Sequence, residues 1–147
     1  MEIAILALGC FWGPEKKFGK LHGIKKTEVG YCGGNTNKTS YREVCTGSTN
    51  HAEVVKIEFD NSIISYEEIV NHFFEMHDPT TLDQQGPDIG TQYRSEIFYS
   101  NLVQKNLAEK ILSKFDKKYN GKVVTKISEI KNYCKAEDYH QKYLDKN

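Results

Sequence analysis

The stretch Ile3-Ala4-Ile5-Leu6-Ala7-Leu8-Gly9-Cys10-Phe11-Trp12-Gly13-Pro14-Glu15 decides how this chain is read, because it sets a thiol where an apolar strand turns into a helix. Ile3 to Leu8 is a continuous apolar run of strand length, closed by Gly9. Phe11 to Leu21 then carries a proline at an early helical position, followed by charged and apolar residues at helical spacing. Cys10 therefore stands near a helix N-terminus. Free backbone N–H groups and the positive end of the helix dipole favour a thiolate there, and are expected to pull its pKa below about 8.5. The plainer alternative is a small buried hydrophobe, since free cysteine is often buried. A lipoprotein signal fails on its flanks: Glu2 stands where a positive charge belongs, the apolar run is short, and Trp12 and Pro14 follow at once.

Downstream, residues 25 to 31 read as a strand with Thr27, Val29 and Tyr31 on one face and Lys26, Glu28, Gly30 and Cys32 on the other. His51 to Asp60 is the clearest period-two strand. It sets Glu53 on one face with His51, Val55, Ile57 and Phe59, opposite Lys56, Glu58 and Asp60. Ser65 with Glu68 forms a capping box for a helix over 66 to 77, in which Tyr66, Ile69, Val70, Phe73 and Phe74 share a face. From Asp78 to Tyr93 no periodicity is visible, and loops of that length are usually functional. Ser95 to Ser100 reads as a strand. Leu107, Ile111, Leu112 and Phe115 mark a helix ending before Gly121, Val123 to Ile130 a further strand, and Ala136 to Leu144 a short terminal helix. This order is that of a split β-α-β (ferredoxin-like) core, extended by a C-terminal helix, strand and helix; the expected class is α+β with a mixed sheet and long loops.

At 147 residues the chain fits a single domain, residues 1–147, without disulfide or metal staples. Twenty basic and twenty acidic residues cancel, and no long Lys/Arg block exists, so nucleic-acid and membrane-surface roles lack an electrostatic footprint. With no membrane-length apolar run and no signal peptide, a cytoplasmic location is expected. Four cysteines at 10, 32, 45 and 134 form no close pair and sit at no usual zinc spacing from a histidine, so a reducing compartment and no metal are expected.

Three polar side chains stand out beside Cys10. Burial of Glu53 would raise its pKa and leave it able to donate a proton. Tyr31 and Tyr93 can bring phenolic hydroxyls to the same edge of the sheet. A nucleophilic thiol, a protonated carboxyl and two hydroxyl donors suit attack on an electrophile whose departing oxygen must be protonated. Taken singly, each is more readily a solvated or interfacial residue.

The runs Gly9-Cys10-Phe11-Trp12-Gly13, Gly30-Tyr31-Cys32-Gly33-Gly34, Tyr41-Arg42-Glu43-Val44-Cys45-Thr46-Gly47, His51-Ala52-Glu53-Val54-Val55, Asp88-Ile89-Gly90-Thr91-Gln92-Tyr93-Arg94-Ser95 and Ala136-Glu137-Asp138-Tyr139-His140-Gln141 resemble, in order, the motifs of the A-type peptide-methionine sulfoxide reductases. The resemblance spans nearly the whole chain. It implies reduction of the S epimer of methionine sulfoxide, free or in proteins, with Cys10 as nucleophile, Glu53 as proton donor, and Tyr31 and Tyr93 on the sulfoxide oxygen. It further implies that Phe11 and Trp12 hold the methyl group and that Asp88 fixes substrate or loop. Cys10 would become a sulfenic acid, with no bound cofactor and an external thioredoxin- or glutaredoxin-type reductant. Many relatives carry resolving cysteines in a glycine-rich tail, whereas this sequence stops at Asn147. Cys134 is then the expected internal resolver, ahead of Cys32, beside direct reduction by the external thiol; Cys45 is read as structural. Rival readings are a cysteine acyltransferase or hydrolase using His51 or His140, and a non-catalytic peptide-binding module.

Overall fold

The computed structural model describes residues 1–147. In chain order its elements are β1 (Glu2–Leu8), α1 (Trp12–Gly19), β2 (Ile24–Cys32), α2 (Tyr41–Cys45), β3 (Ala52–Phe59), α3 (Tyr66–Met76), β4 (Gln84–Gln85), β5 (Asp88–Ile89), β6 (Ser95–Tyr99), α4 (Leu102–Lys118), β7 (Lys126–Glu129), β8 (Cys134–Lys135) and α5 (Tyr143–Lys146). The main sheet runs β7-β6-β1-β3-β2-β8. Its four inner strands, β6-β1-β3-β2, are antiparallel throughout, with β3 inserted between β1 and β2. That is the split β-α-β arrangement the element order predicts. The sheet is mixed because β7 joins β6 in parallel.

Alternation along the strands sorts the side chains onto two faces. Ala4, Leu6 and Leu8 of β1, Val29 and Tyr31 of β2, and Val55, Ile57 and Phe59 of β3 pack under the helices, against Phe18, Phe73, Phe74, Ile111 and Phe115. Ile5, Ala7, Cys32, Ala52, Val54 and Phe98 form a smaller cluster on the opposite face. The cap of α3 is reciprocal: the Ser65 hydroxyl accepts from Glu68 N, while the Glu68 carboxylate accepts from Ser65 N.

Three parts differ from the sequence reading. The loop from 78 to 93 contains the β4–β5 hairpin and a 3-10 turn at Thr91–Tyr93. The connection after β2 contains α2, started by Ser40, whose hydroxyl accepts from Glu43 N. Residues 136 to 144 are not one helix: a 3-10 turn at Asp138–His140 is followed by α5, with Lys142 at φ 54° between them. The cause is tertiary. Ala136 N donates to Val29 O, the Gln141 side-chain amide bonds both Val29 N and Val29 O, and Lys142 N donates to Glu15 Oε1. These bonds draw the segment flat against β2 and α1 and leave an independent helix no room. No helix is long and apolar enough to cross a membrane.

Candidate active site

Three chain segments meet at one end of the sheet: the exit of β1, the end of β2 and the start of β3. Gly9 turns the chain out of β1 at φ 94°, in the region that favours glycine, and a Cβ there would stand 2.8 Å from Gln85 of the covering hairpin. Cys10 follows, half-buried, with Phe11 as the N-cap of α1. Tyr31 and Glu53 are direct partners across β2 and β3, so their side chains stand together on the helix-covered face.

Glu53 is 1% exposed, and its Oε1 accepts from the backbone N–H of Phe11 at 3.2 Å. Burial pushes its pKa up to about 8; the Phe11 N–H pulls the other way and Asp88 adds a smaller push. The carboxyl is therefore protonated at neutral pH, one residue from the thiol. Cys10 differs from the expectation of a depressed pKa. Burial raises it to about 11, opposed by the N–H of Trp12 and reinforced by the negative charges of Glu53 and Asp88. The helix-start effect exists, but loss of water outweighs it. At neutral pH both groups hold their protons.

Tyr93 ends the 3-10 turn, partly buried, and its pKa is raised to about 12, first by burial and then by the nearby charges of Glu53, Cys45, Asp88 and Cys10. Asp88, on β5, stands near enough for its negative charge to raise the pKa of Cys10, Glu53 and Tyr93 alike. Tyr31 is fully buried, and its hydroxyl donates to Glu137 Oε1 at 2.9 Å. Burial, then that bond, raises its pKa well above the usual range. Phe11 is buried with its ring 5.8 Å from that of Tyr31, while Trp12 is half-buried and packs on the main core.

Glu137 was not singled out from sequence, yet it joins three parts of the site: Oε1 accepts from Tyr31 and Oε2 from the backbone of Tyr41. The motif that carries it was visible; its partners, about a hundred residues away in the chain, were not. The other cysteines are spread out. Cys32 is buried on the far face, its Sγ donating to Lys131 O. Cys45 is exposed at the end of α2. Cys134 pairs with Tyr31 in β8, two strands beyond Glu53, while Cys10 lies on the other side, past the end of β1. Strand spacing of about 4.8 Å puts its Cα about 10 Å from that of Glu53. A disulfide needs about 7 Å between Cα atoms; the two cysteines are free, and β3 and β2 lie between β1, which leads to Cys10, and β8, which holds Cys134.

Neither histidine offers Cys10 a base. His51 spends Nδ1 on Gly34 N and Nε2 on Thr36, and His140 Nδ1 accepts from the Trp12 indole. No cluster of His, Cys, Asp and Glu has a metal-holding arrangement. The largest cavity, about 300 Å³ between Glu2, Tyr66 and Gln104, lies at the opposite end of the sheet. Chemistry, rather than volume, marks the Cys10 end.

A model of the family described as peptide methionine sulfoxide reductase matches residues 2–147. The peptide methionine sulfoxide reductase MsrA of Pelagibacter ubique is 66% identical over 146 residues, covering 99% of both chains. The reduced form of Mxr1 from Saccharomyces cerevisiae superposes with a TM-score of 0.95 at 41% identity, over 99% of this chain and 85% of that one. Mxr1 has also been solved in complex with Trx2; that structure matches with a TM-score of 0.70 at 27% identity, over 97% of this chain and 84% of that one.

Proposed function

The chain belongs to the peptide methionine sulfoxide reductases, oxidoreductases that reduce methionine sulfoxide, and on that premise we propose that residues 1–147 form one catalytic domain acting on the S epimer through a sulfenic acid at Cys10. The observation that carries the reading is the buried, protonated Glu53 carboxyl held to the backbone beside the thiol. Sulfoxide reduction needs this pairing, because oxygen leaves sulfur only when it acquires a proton.

Cys10 Sγ bonds to the sulfoxide sulfur as its oxygen takes the Glu53 proton. The oxygen ends on Cys10 as sulfenic acid, methionine departs as a thioether, and the proton released by the thiol returns to Glu53. Two electrons pass from the cysteine sulfur to the substrate sulfur, and the carboxyl is restored. Tyr93 and Tyr31 supply hydrogen bonds to the oxygen. For Tyr31 this means sharing or surrendering its bond to Glu137. Phe11 and Trp12 receive the methyl group on the opposite side, and Asp88 fixes substrate or loop. A pyramidal sulfur with its oxygen toward Glu53 and its methyl toward Phe11 and Trp12 exposes one face to Cys10, so the site accepts one hand.

Recycling falls to an external thiol reductant of the thioredoxin or glutaredoxin type, consistent with the Mxr1–Trx2 complex of a relative. Cys134 enters only after the C-terminal segment moves. The test is incubation with each epimer of methionine sulfoxide without reductant, followed by dimedone trapping and mass spectrometry. One dimedone adduct on Cys10 per methionine formed, from the S epimer alone, is expected. A thioester, or neither an adduct nor a disulfide at Cys10, refutes the reading in favour of a hydrolase or a binding module.

A further inference from the structure

Trp12 is the sole tryptophan of the chain and is held from two directions by the C-terminal segment. Its ring stacks on Tyr143 with centroids 3.8 Å apart and planes 10° from parallel. Its Nε1–H donates to Nδ1 of His140 at 3.1 Å. Accepting that bond commits the imidazole: Nδ1 is bare and the proton sits on Nε2. Burial lowers the His140 pKa from 6.5, which keeps this neutral form. The Nε2–H has no hydrogen-bond partner, and the ring is enclosed by Phe11, Tyr41 and Tyr139 with centroids 5.2, 4.5 and 4.2 Å away. A phenyl ring would fill that box without stranding a buried donor. The polar contact that distinguishes histidine here is the one to Trp12.

The two contacts restrain different freedoms. Stacking on Tyr143 fixes the plane of the indole but resists rotation within that plane only weakly. A directional hydrogen bond from the indole edge removes that rotation. The same imidazole also backs Phe11. We propose that His140 is a positioning residue for the reductase: its bond to Trp12 fixes the indole beside Cys10 and so sets the size of alkyl group accepted on the sulfoxide sulfur. The proposal rests on the reading of Phe11 and Trp12 as the methyl-binding wall.

The test compares His140→Leu, which removes the acceptor, with His140→Asn, whose side-chain oxygen can take the place of Nδ1, and with Trp12→Phe, which removes the indole N–H. Acrylamide quenching of fluorescence reports Trp12 directly in the two His140 variants, and KM and kcat are measured for methyl and ethyl sulfoxides. His140→Leu should increase quenching, raise KM for the methyl sulfoxide about tenfold, change kcat about twofold at most and narrow the methyl-over-ethyl preference. His140→Asn should restore most of the difference. Trp12→Phe should raise KM similarly, and adding His140→Leu to it should add little. Wild-type quenching and KM in His140→Leu overturn the proposal, and so does freed Trp12 fluorescence with unchanged KM and alkyl preference. Trp12→Ala, which removes the wall itself, runs alongside, so failure of the underlying reading shows separately as an unchanged KM and alkyl preference in that variant.

Discussion

Replacing Glu53 by glutamine should slow the reaction and, in the same protein, stabilise the fold in a pH-dependent way. Burial holds the native carboxyl protonated to about pH 8, against 4.5 for an ordinary glutamate. Below pH 4.5 the group is protonated in the folded and the unfolded chain, so it adds no pH-dependent difference. Above it the unfolded chain releases its proton and the folded chain does not. Stability then falls by about 1.4 kcal/mol per pH unit. By pH 8 the loss reaches about 5 kcal/mol, after which the native carboxyl ionises too and the penalty stops growing. Glutamine accepts the same bond from Phe11 N–H and never ionises. Urea melts of both proteins at pH 4, 6 and 8 should therefore give curves that nearly coincide at pH 4 and diverge by several kcal/mol at pH 8, the variant being the more stable. Single-turnover reduction by the variant should be roughly 100- to 10,000-fold slower. A stability difference that is the same at pH 4 and pH 8 would mean that Glu53 titrates as a solvated carboxylate, and the proton-donor argument would collapse with it.

Other expectations follow from the same geometry. The rate of Cys10 alkylation by iodoacetamide should keep rising with pH toward about 11, whereas a plateau near pH 8 would restore the depressed thiol read from the helix start. Cys10→Ser should fold normally and give no methionine in a single turnover; residual turnover above a trace removes Cys10 from its role. Tyr31→Phe deletes the bond to Glu137 and should lower stability by about 1 kcal/mol, with a smaller effect on rate than Glu53→Gln; an equal rate loss would make Tyr31 the principal donor. Peptide mapping after one turnover without reductant should find Cys10 as sulfenic acid, and a rapid Cys10–Cys134 disulfide would show that the C-terminal segment swings freely.

Periodicity carried the inner sheet and the cap of α3, because β1, β3 and the Ser65–Glu68 pair encode their structure within a few residues. It could not carry β8 or α2, which at two and five residues are shorter than a readable period. Residues 136 to 144 misled because Ala136, Tyr139, His140 and Tyr143 have helical spacing, while bonds to Val29 and Glu15 impose another path. Among the candidate site residues, the meeting of Cys10 and Glu53 at one end of the sheet is legible from their places at strand ends. The acidity of Cys10 is not: the helix start does pull it down, but burial, which chain neighbours do not encode, pushes it up further. The same holds for the bonds of Tyr31 and Trp12 to Glu137 and His140, which span more than a hundred residues.

The amide of Gln141 has a consequence for behaviour in concentrated solution. Past the two-residue β8, the outer margin of β2 would present the free N–H of Val29 to any passing strand, beside a C=O already held by Ala136 N, and so invite pairing with another copy. Gln141 occupies both groups with one side chain, and exposed Lys25 and Lys26 guard the stretch beside them. The sheet is thus closed to self-association at this margin by a side chain acting as a single rung of strand. A chain cut before Gln141 would leave the Val29 N–H unpaired at this margin, with its nucleophile and proton donor untouched.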